Sequence, residues 1–317
     1  MIKNNSADIM ESTFYKKLEK GYNKNSKYDY LVLFSGGKDS TYIVHKLKEA
    51  KGSRICLFTI ENGLEETNAV MHAKETASKL NCDLYIYQPC KHSVMKFYKY
   101  LITEPELKKI DTNPVCFFCG RFFISLGIEF SESLSIPFVM YGATPEQVRQ
   151  GKKTNSQRDV EIFEMVSKKV FNVYYQRVKL LDGYKKSVEI RNIFDKIFYT
   201  PTKTRLLFPF QFLDYNIEKI KMQLENTYNW QNPTKNLDNS LYLTSGCLMV
   251  NLFGLLSKKL GYKPHEPEQF KKNYEAGHMN QKTYEYNIKQ INNIMKAEIT
   301  PEIIELAKKI GVEDLLL

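Results

Sequence analysis

The 317-residue chain has no stretch of about 18 consecutive apolar residues and no apolar segment near its N-terminus. The sequence therefore predicts neither a membrane span nor a secretion signal. Histidine and tryptophan are scarce, with five and one residues, so a zinc site that depends on histidines has little support. In the absence of a secretion signal, the six cysteines favour a reducing, cytoplasmic compartment, where thiols serve as ligands or nucleophiles rather than disulfides.

Internal repeats, low-complexity tracts and a recognisable RNA-binding module are also missing from the sequence. Lysine is abundant, and it supplies most of a formal net charge of +10. Such a charge favours a polyanionic partner such as tRNA, but a lysine-rich solvated surface explains it equally well. Both explanations stay open at this point.

From Tyr28 onward, apolar strands alternate with amphipathic helices, a pattern that predicts a parallel sheet with helices on both faces. We expect an α/β fold with a helical lead-in at 1–26, a sheet domain at 27–205 and a smaller, mainly helical C-terminal region at 206–317. The predicted strands are 28–34, 54–60, 83–88 and 137–142, and the predicted helices are 40–50, 65–80, 93–104, 117–134, most of 146–205, 215–227, 247–260 and 282–315.

The first strand runs directly into the hexapeptide SGGKDS at 35–40. Gly36 and Gly37 permit a tight turn and close backbone approach, and the amides at the following helix start can point at a polyphosphate. The Lys38 ammonium can contact a phosphoryl oxygen, the Ser35 and Ser40 hydroxyls can donate to phosphate, and Asp39 can hold Mg²⁺. The hexapeptide therefore predicts that the chain binds ATP and magnesium.

The spacing of this loop differs from the Walker pattern, so binding in the manner of P-loop NTPases is not expected. Instead, SGGKDS resembles the signature of the PP-loop ATP pyrophosphatases. The resemblance implies an adenine nucleotide alpha-hydrolase-like fold and cleavage of ATP between the α and β phosphates. It also implies that a carbonyl or carboxylate oxygen is adenylated and then displaced by sulfur or nitrogen, with Lys38 and Asp39 as catalytic residues.

Two further strand ends belong to this expected site, because ligands of parallel sheets bind at the carboxyl ends of the strands. PP-loop relatives commonly place the adenine after the second strand, which implies a base contact at Ile60. The turn at Gly142 lies where relatives carry an acidic pair that faces the nucleotide. That pair is missing here, Thr144, Glu146 and Gln147 stand nearby, and a plain strand-to-helix connection that begins at Pro145 is the alternative interpretation.

Three cysteines form a second group of interest. Cys116 and Cys119 follow a turn and open an apolar helix, and Cys247 stands at another such turn. One C-x-x-C with a distant third cysteine resembles the iron-sulfur tRNA thiolases, which hold a [4Fe-4S] cluster on three thiolates. The separation of Cys247 is wider than those relatives lead one to expect. Zn²⁺, with His92 or His265 as further ligands, and unrelated buried thiols are the alternatives.

We therefore expect an ATP-dependent sulfur transferase that acts on tRNA or on a small molecule, with an unidentified sulfur donor. An alternative is an N-acetyl sugar amidotransferase, a family whose C-terminal part looks similar to the stretch from Trp230 through Cys247 to Gly261. The non-enzymatic alternative is a nucleotide-binding sensor. No membrane partner is expected, and a homodimer is left open.

Overall fold

The computed structural model describes residues 3–19, 25–50, 52–65, 67–110, 113–149, 171–199, 203–231, 247–261, 266–294 and 299–316. Its strands are β1 (Tyr30–Leu33), β2 (Ile55–Ile60), β3 (Asp83–Tyr87), β4 (Phe138–Met140) and β5 (Arg205–Leu207). They form one five-stranded sheet in the order β3-β2-β1-β4-β5. Every neighbouring pair in this sheet is parallel.

The described helices are α1 (Lys3–Glu19), α2 (Lys38–Glu49), α3 (Thr67–Lys79), α4 (Lys91–Thr103), α5 (Pro114–Ser133), α6 (Pro145–Arg149), α7 (described over 171–178), α8 (Asp182–Lys186), α9 (Val188–Ile197), α10 (Ile217–Tyr228), α11 (Leu248–Leu260), α12 (Glu266–Glu275), α13 (Gln281–Ile294) and α14 (Pro301–Ile310). Short 3-10 turns lie at Pro105–Lys109, Pro209–Gln211 and Glu313–Leu315.

The two central strands are buried along their whole length, as expected for continuous apolar runs in a parallel sheet. Alternate residues of β1 face opposite cores. Leu31 belongs to the core that contains Phe118 of α5, and Val32 belongs to the core that contains Ile43 of α2. Helices therefore cover both faces of the sheet, and the predicted fold class is confirmed.

The fifth strand corrects one expectation from the sequence. The stretch 146–205 is predicted to be mostly helical, and its described part does contain the helices α8 and α9. The last residue of the stretch, Arg205, instead begins β5, which pairs with β4. A strand of three residues is too short to show a period of two, so no sequence pattern indicates it. The expected boundary between 205 and 206 falls within this strand. Residues 150–170 of the same stretch lie outside the described residues.

The strand order also locates a crevice at the carboxyl ends of the strands. The chain passes from β1 to β2 and β3 on one side and to β4 and β5 on the other. The connections that leave β1 and β4 therefore diverge at the carboxyl ends of the strands, and ligands of open α/β sheets bind at such a switch point. The hexapeptide 35–40 and Gly142 both lie there.

One helix among the described residues, α5, is long and apolar enough by length and composition to cross a membrane. Half of its most apolar window is nevertheless buried inside the fold. A core helix passes the same test, so this single helix is weak support for a membrane span.

Candidate functional site

The hexapeptide turn requires glycine at its second position, Gly36, for two reasons. Gly36 has a φ of +74°, in the left-handed region that other residues rarely adopt. A Cβ added to Gly36 would also lie 3.0 Å from the Cα of Ala73 and 3.0 Å from Cδ2 of His72. Helix α3 therefore packs directly against the turn, as the sequence-based argument for close backbone approach requires.

The carbonyl oxygen of Gly36 is held by side chains from three parts of the chain. The indole Nε1–H of Trp230 donates to it at 2.9 Å, Nε2 of His72 lies 3.0 Å away, and the Thr41 hydroxyl donates at 3.3 Å. A carbonyl oxygen has two lone pairs, so these three contacts use its whole capacity to accept hydrogen bonds. The peptide orientation of the turn is thus fixed by contacts from outside the hexapeptide.

Helix α2 begins inside the hexapeptide, at Lys38, and Gly37 is its N-cap, with no side chain to cap the first amides. The first turn of a helix leaves amides without intrahelical partners, which makes this end suited to an anion. The Ser35 and Ser40 hydroxyls lie 3.5 Å apart, the Ser40 hydroxyl donates to the Gly37 carbonyl, and the Gly37 amide donates to Ser35 Oγ. Both predicted serines therefore lie within the turn itself.

Lys38 and Asp39 are joined to each other and to a tyrosine that sequence reasoning missed. Nζ of Lys38 lies 2.6 Å from Oδ2 of Asp39 and donates to the Tyr215 hydroxyl at 3.0 Å. The Tyr215 hydroxyl in turn donates to Oδ1 of Asp39 at 3.1 Å. Burial, and then the negative charge of Asp39, raise the pKa of Tyr215 well above its usual value. The phenol therefore stays protonated and bridges the two predicted catalytic side chains.

The turn after β4 lies against the start of α2. A Cβ added to Gly142 would lie 3.3 Å from the amide nitrogen of Ser40, so glycine allows this close approach. Thr144 and Gln147 cap the next helix reciprocally, because each backbone amide donates to the other side chain. Glu146 is buried, and its carboxylate faces Nδ1 of His278 at 3.6 Å.

Ile60, the predicted adenine contact, ends β2 and is buried in the core that contains α5.

The C-x-x-C pair opens α5 as expected. Asn113 caps the helix with Oδ1, which accepts the backbone amide of Cys116 at 3.0 Å. Cys247 is the N-cap of α11 and forms an isolated antiparallel bridge with Glu65, and the Leu248 amide donates to the Leu64 carbonyl. The loop after β2 is therefore bonded to the start of α11, which brings Cys247 to the carboxyl edge of the sheet.

Cys119 has the most completely defined surroundings of the three thiols. Oδ1 of Asn62 accepts the Leu64 amide, so Nδ2 of Asn62 must be the atom that donates to the Tyr98 hydroxyl at 3.0 Å. The same Tyr98 hydroxyl is hydrogen-bonded to Sγ of Cys119, 3.0 Å away, and either atom can donate. Asn62 and Tyr98 thus form a relay that ends on a sulfur.

Burial keeps the thiols of Cys119 and Cys247 protonated at neutral pH. It raises the pKa of Cys119 to about 11, against the lowering effect of the Tyr98 hydrogen bond. Burial, and then the neighbouring Cys119, raise the pKa of Cys247 to about 12. Burial also raises the pKa of Tyr141, and the nearby Cys119 and Cys116 add to this effect. The three thiols therefore share one electrostatic environment.

The donor set has the chemistry of a thiolate-ligated metal site. Within the described ranges, however, no three His, Cys, Asp or Glu side chains are gathered closely enough to hold one metal ion. None of the six cysteines forms a disulfide. His92 is exposed on α4, and His265 lies outside the described residues. The predicted metal site on Cys116, Cys119 and Cys247 stays a prediction.

Tyr141 connects the thiols with the hexapeptide turn. It directly precedes Gly142, whose backbone lies against the start of α2, and a Cβ on Gly120 would lie 3.6 Å from the Tyr141 hydroxyl. The turn at 35–40 and the thiols at the start of α5 are therefore neighbours at one sheet edge.

No family model matches the chain, and no curated protein matches it either. Among solved structures it is similar to a U34-tRNA thiolase, NcsA, from Methanococcus maripaludis, at 14% identity and a TM-score of 0.40 over 92% of this chain and 81% of that one. An NH3-dependent NAD synthetase from Campylobacter jejuni is similar at 12% identity and a TM-score of 0.37 over 99% and 95%.

A predicted tRNA methyltransferase subunit from Methanocaldococcus jannaschii is also similar, at 18% identity and a TM-score of 0.34, over 62% of this chain and 73% of that one. These three proteins are named for different reactions. At such low identities and TM-scores the likenesses do not assign an activity to this chain.

Several site residues escape sequence reasoning. Tyr215 and Trp230 lie 176 and 194 positions after their partners in the hexapeptide, so no local pattern could have indicated them. Asn62 did have a signal, because it lies two residues after a predicted strand, at the end where ligands bind. Tyr98 lies on the apolar face of a helix and is indistinguishable in sequence from a core residue.

Proposed function

We propose that this chain is an ATP-dependent sulfur transferase. The acceptor's carbonyl-type oxygen attacks the α phosphorus of ATP, and the bond to the β-phosphate oxygen breaks, so pyrophosphate leaves. Sulfur then attacks the activated carbon, and AMP departs with the original oxygen. The observation that supports this proposal is the placement of the 35–40 turn and the half-buried thiols side by side at the carboxyl ends of the strands.

The residues of the turn account for the first half of this reaction. The uncapped start of α2 and Lys38 offer positive charge to the phosphates, and Asp39 offers a carboxylate to Mg²⁺. Lys38 and Asp39 form an ion pair with each other. Binding of MgATP exchanges their mutual ion pair for one with phosphate and one with the metal, so both groups are positioned before substrate arrives.

The thiols account for the second half. Cys116, Cys119 and Cys247 are the residues that would hold a [4Fe-4S] cluster, or alternatively Zn²⁺. Three thiolates would leave one iron open, and the cluster would supply bound sulfide for the transfer. The chain's own contribution is the Tyr98 hydroxyl, which lies 3.0 Å from Sγ of Cys119.

The net charge of +10 supports a polyanionic acceptor such as tRNA, and a small-molecule amide is the other acceptor class.

A product assay tests the reaction. With acceptor and sulfide present, the wild-type protein should convert ATP to AMP and pyrophosphate, and Asp39→Asn should abolish both products. Formation of ADP in place of AMP would refute the mechanism, and use of ammonia in place of sulfide would indicate the amidotransferase.

A further inference from the structure

Helices α2 and α10 lie side by side and run in the same direction. At their N-terminal ends, the Tyr215 hydroxyl just before α10 accepts a hydrogen bond from Lys38 of α2. Further along both helices, Nδ1 of His45 lies 3.1 Å from the Tyr228 hydroxyl, and Nε2 of His45 accepts from the Gln223 amide at 2.7 Å. Both N-termini therefore lie at the hexapeptide turn.

This pairing sets the register between the two helices. Seven residues before His45 is Lys38, and seven residues before Tyr228 is Lys221. Because seven residues make about two helical turns and His45 contacts both Gln223 and Tyr228, the stretch at the start of α10 that is level with Lys38 is 216–221, and Lys221 is its last residue. The electrostatics agree, since burial first and the charge of Lys38 second lower the pKa of Lys221.

Two side chains of like charge, those of Lys38 and Lys221, therefore lie near each other beside the turn. Lys38 is paired with Asp39, and its side chain is only 8% exposed. Lys221 is half-buried, and it has no hydrogen bond or ion pair with any residue in the part of the chain that the structure describes. Glu218, Glu225 and Asp39 act in the opposite direction on its pKa, but burial and Lys38 outweigh them. A charge kept in such surroundings is stabilised when an anion binds.

We propose that Lys221, together with Lys38 and the start of α2, forms a polyphosphate subsite that holds the β and γ phosphates of ATP and then the pyrophosphate leaving group. The identity of the anion as part of ATP rests on the proposed function. The subsite itself requires only that a di- or triphosphate group lies between the two amines.

Calorimetric titration of the full-length protein with inorganic pyrophosphate, and separately with AMP, tests this subsite. Lys221→Met keeps the aliphatic stem and removes the charge, so the affinity for pyrophosphate should fall about tenfold, as expected for one lost charge-assisted contact. The affinity for AMP should not change. Lys219→Met, which alters an exposed lysine on the same helix, is the matched control and should change neither affinity. Lys221→Arg should retain most of the pyrophosphate affinity.

Thermal melting without ligand checks the fold of each variant. Lys221→Met should melt at the same or a higher temperature than the wild type, because it removes a half-buried charge near Lys38. If it does not fold, Lys221→Gln takes its place. Unchanged pyrophosphate affinity in the folded neutral variant would overturn the subsite, even if the wild type makes AMP. Conversely, a Lys221-dependent pyrophosphate site in a protein that makes ADP would support the subsite and refute the proposed reaction.

Discussion

The indole N–H of Trp230 donates a hydrogen bond to the carbonyl oxygen of Gly36, 194 positions earlier in the chain. Trp230 is buried, directly follows the left-handed C-cap Asn229 of α10, and lies with its ring 6.3 Å from that of His72. The end of α10 therefore fixes the peptide plane of the turn that we propose binds the phosphates.

Replacement of Trp230 by Phe should weaken ATP binding as well as stability. The change removes one donor from the Gly36 carbonyl, and we expect a loss of about 1–3 kcal/mol in the free energy of unfolding, since a buried acceptor loses a partner. Tyr228→Phe is the matched control, because Tyr228 is the last residue of α10 and the change removes its hydrogen bond to His45 of α2. Urea denaturation and ATP titration should show a stability loss in both variants but weaker ATP binding in Trp230→Phe alone. Equal ATP affinities would contradict the role of Trp230.

Alanine at Gly36 should be far more damaging than alanine at Gly52. Both glycines have positive φ, +74° and +80°, but a Cβ at Gly36 would lie 3.0 Å from Ala73 Cα, while nothing lies within 4 Å at Gly52. The left-handed conformation alone costs roughly 1–2 kcal/mol with alanine. Gly52→Ala should show only this cost in urea denaturation, and Gly36→Ala should exceed it and lose ATP binding. Similar stability losses in the two variants would argue against the packing of α3 on the turn.

Tyr215→Phe tests whether the phenol positions Lys38 and Asp39. The variant keeps the ring, which stacks edge-on against Phe210 and His278, and removes only the hydroxyl. We expect kcat/KM for MgATP to fall about tenfold, equivalent to about 1.4 kcal/mol, with a higher Mg²⁺ concentration needed for half-maximal rate. An unchanged Mg²⁺ requirement, with a lower melting temperature, would reduce Tyr215 to a purely structural role.

Alkylation by iodoacetamide in metal-free protein should distinguish the thiols. Cys90 is exposed, and hydrogen bonds from Ser93 lower its pKa, whereas burial raises the pKa of Cys119 to about 11 and that of Cys247 to about 12. Since only the thiolate reacts, Cys90 should be labelled first near neutral pH. The rate at Cys119 should keep rising as the pH approaches about 11. Peptide mass spectrometry provides the measurement, and rapid labelling of Cys119 at pH 7 would contradict this assignment.

Metal analysis after anaerobic purification tests the proposed cluster. A [4Fe-4S] cluster on the three thiols predicts a brown protein with about four irons per chain. Cys247→Ser should lose the iron, and Cys90→Ser, at an exposed thiol outside the cluster, should keep it. A colourless wild type with stoichiometric zinc would favour the zinc alternative.

The sequence predicted the local features well, because each depends on neighbouring residues. The hexapeptide at 35–40, the helix opened by Asn113 and the buried central strands all follow from short patterns. β5 was missed because three residues show no period. Tyr215 and Trp230 were missed for a different reason, since only the packing of α10 on α2 brings them to the turn. Long-range contacts of this kind leave no trace in spacing.

The Trp230 contact also bears on when the protein becomes competent during its synthesis. Ribosomes add roughly 5–20 residues per second, so the 194 positions between Gly36 and Trp230 take about 10–40 s to make at such rates. Until α10 has been synthesised and has docked, the Gly36 carbonyl lacks one of the three side chains that hold it. A nascent chain that already contains the whole SGGKDS loop is therefore expected to hold ATP poorly, and ligand binding is acquired late in translation.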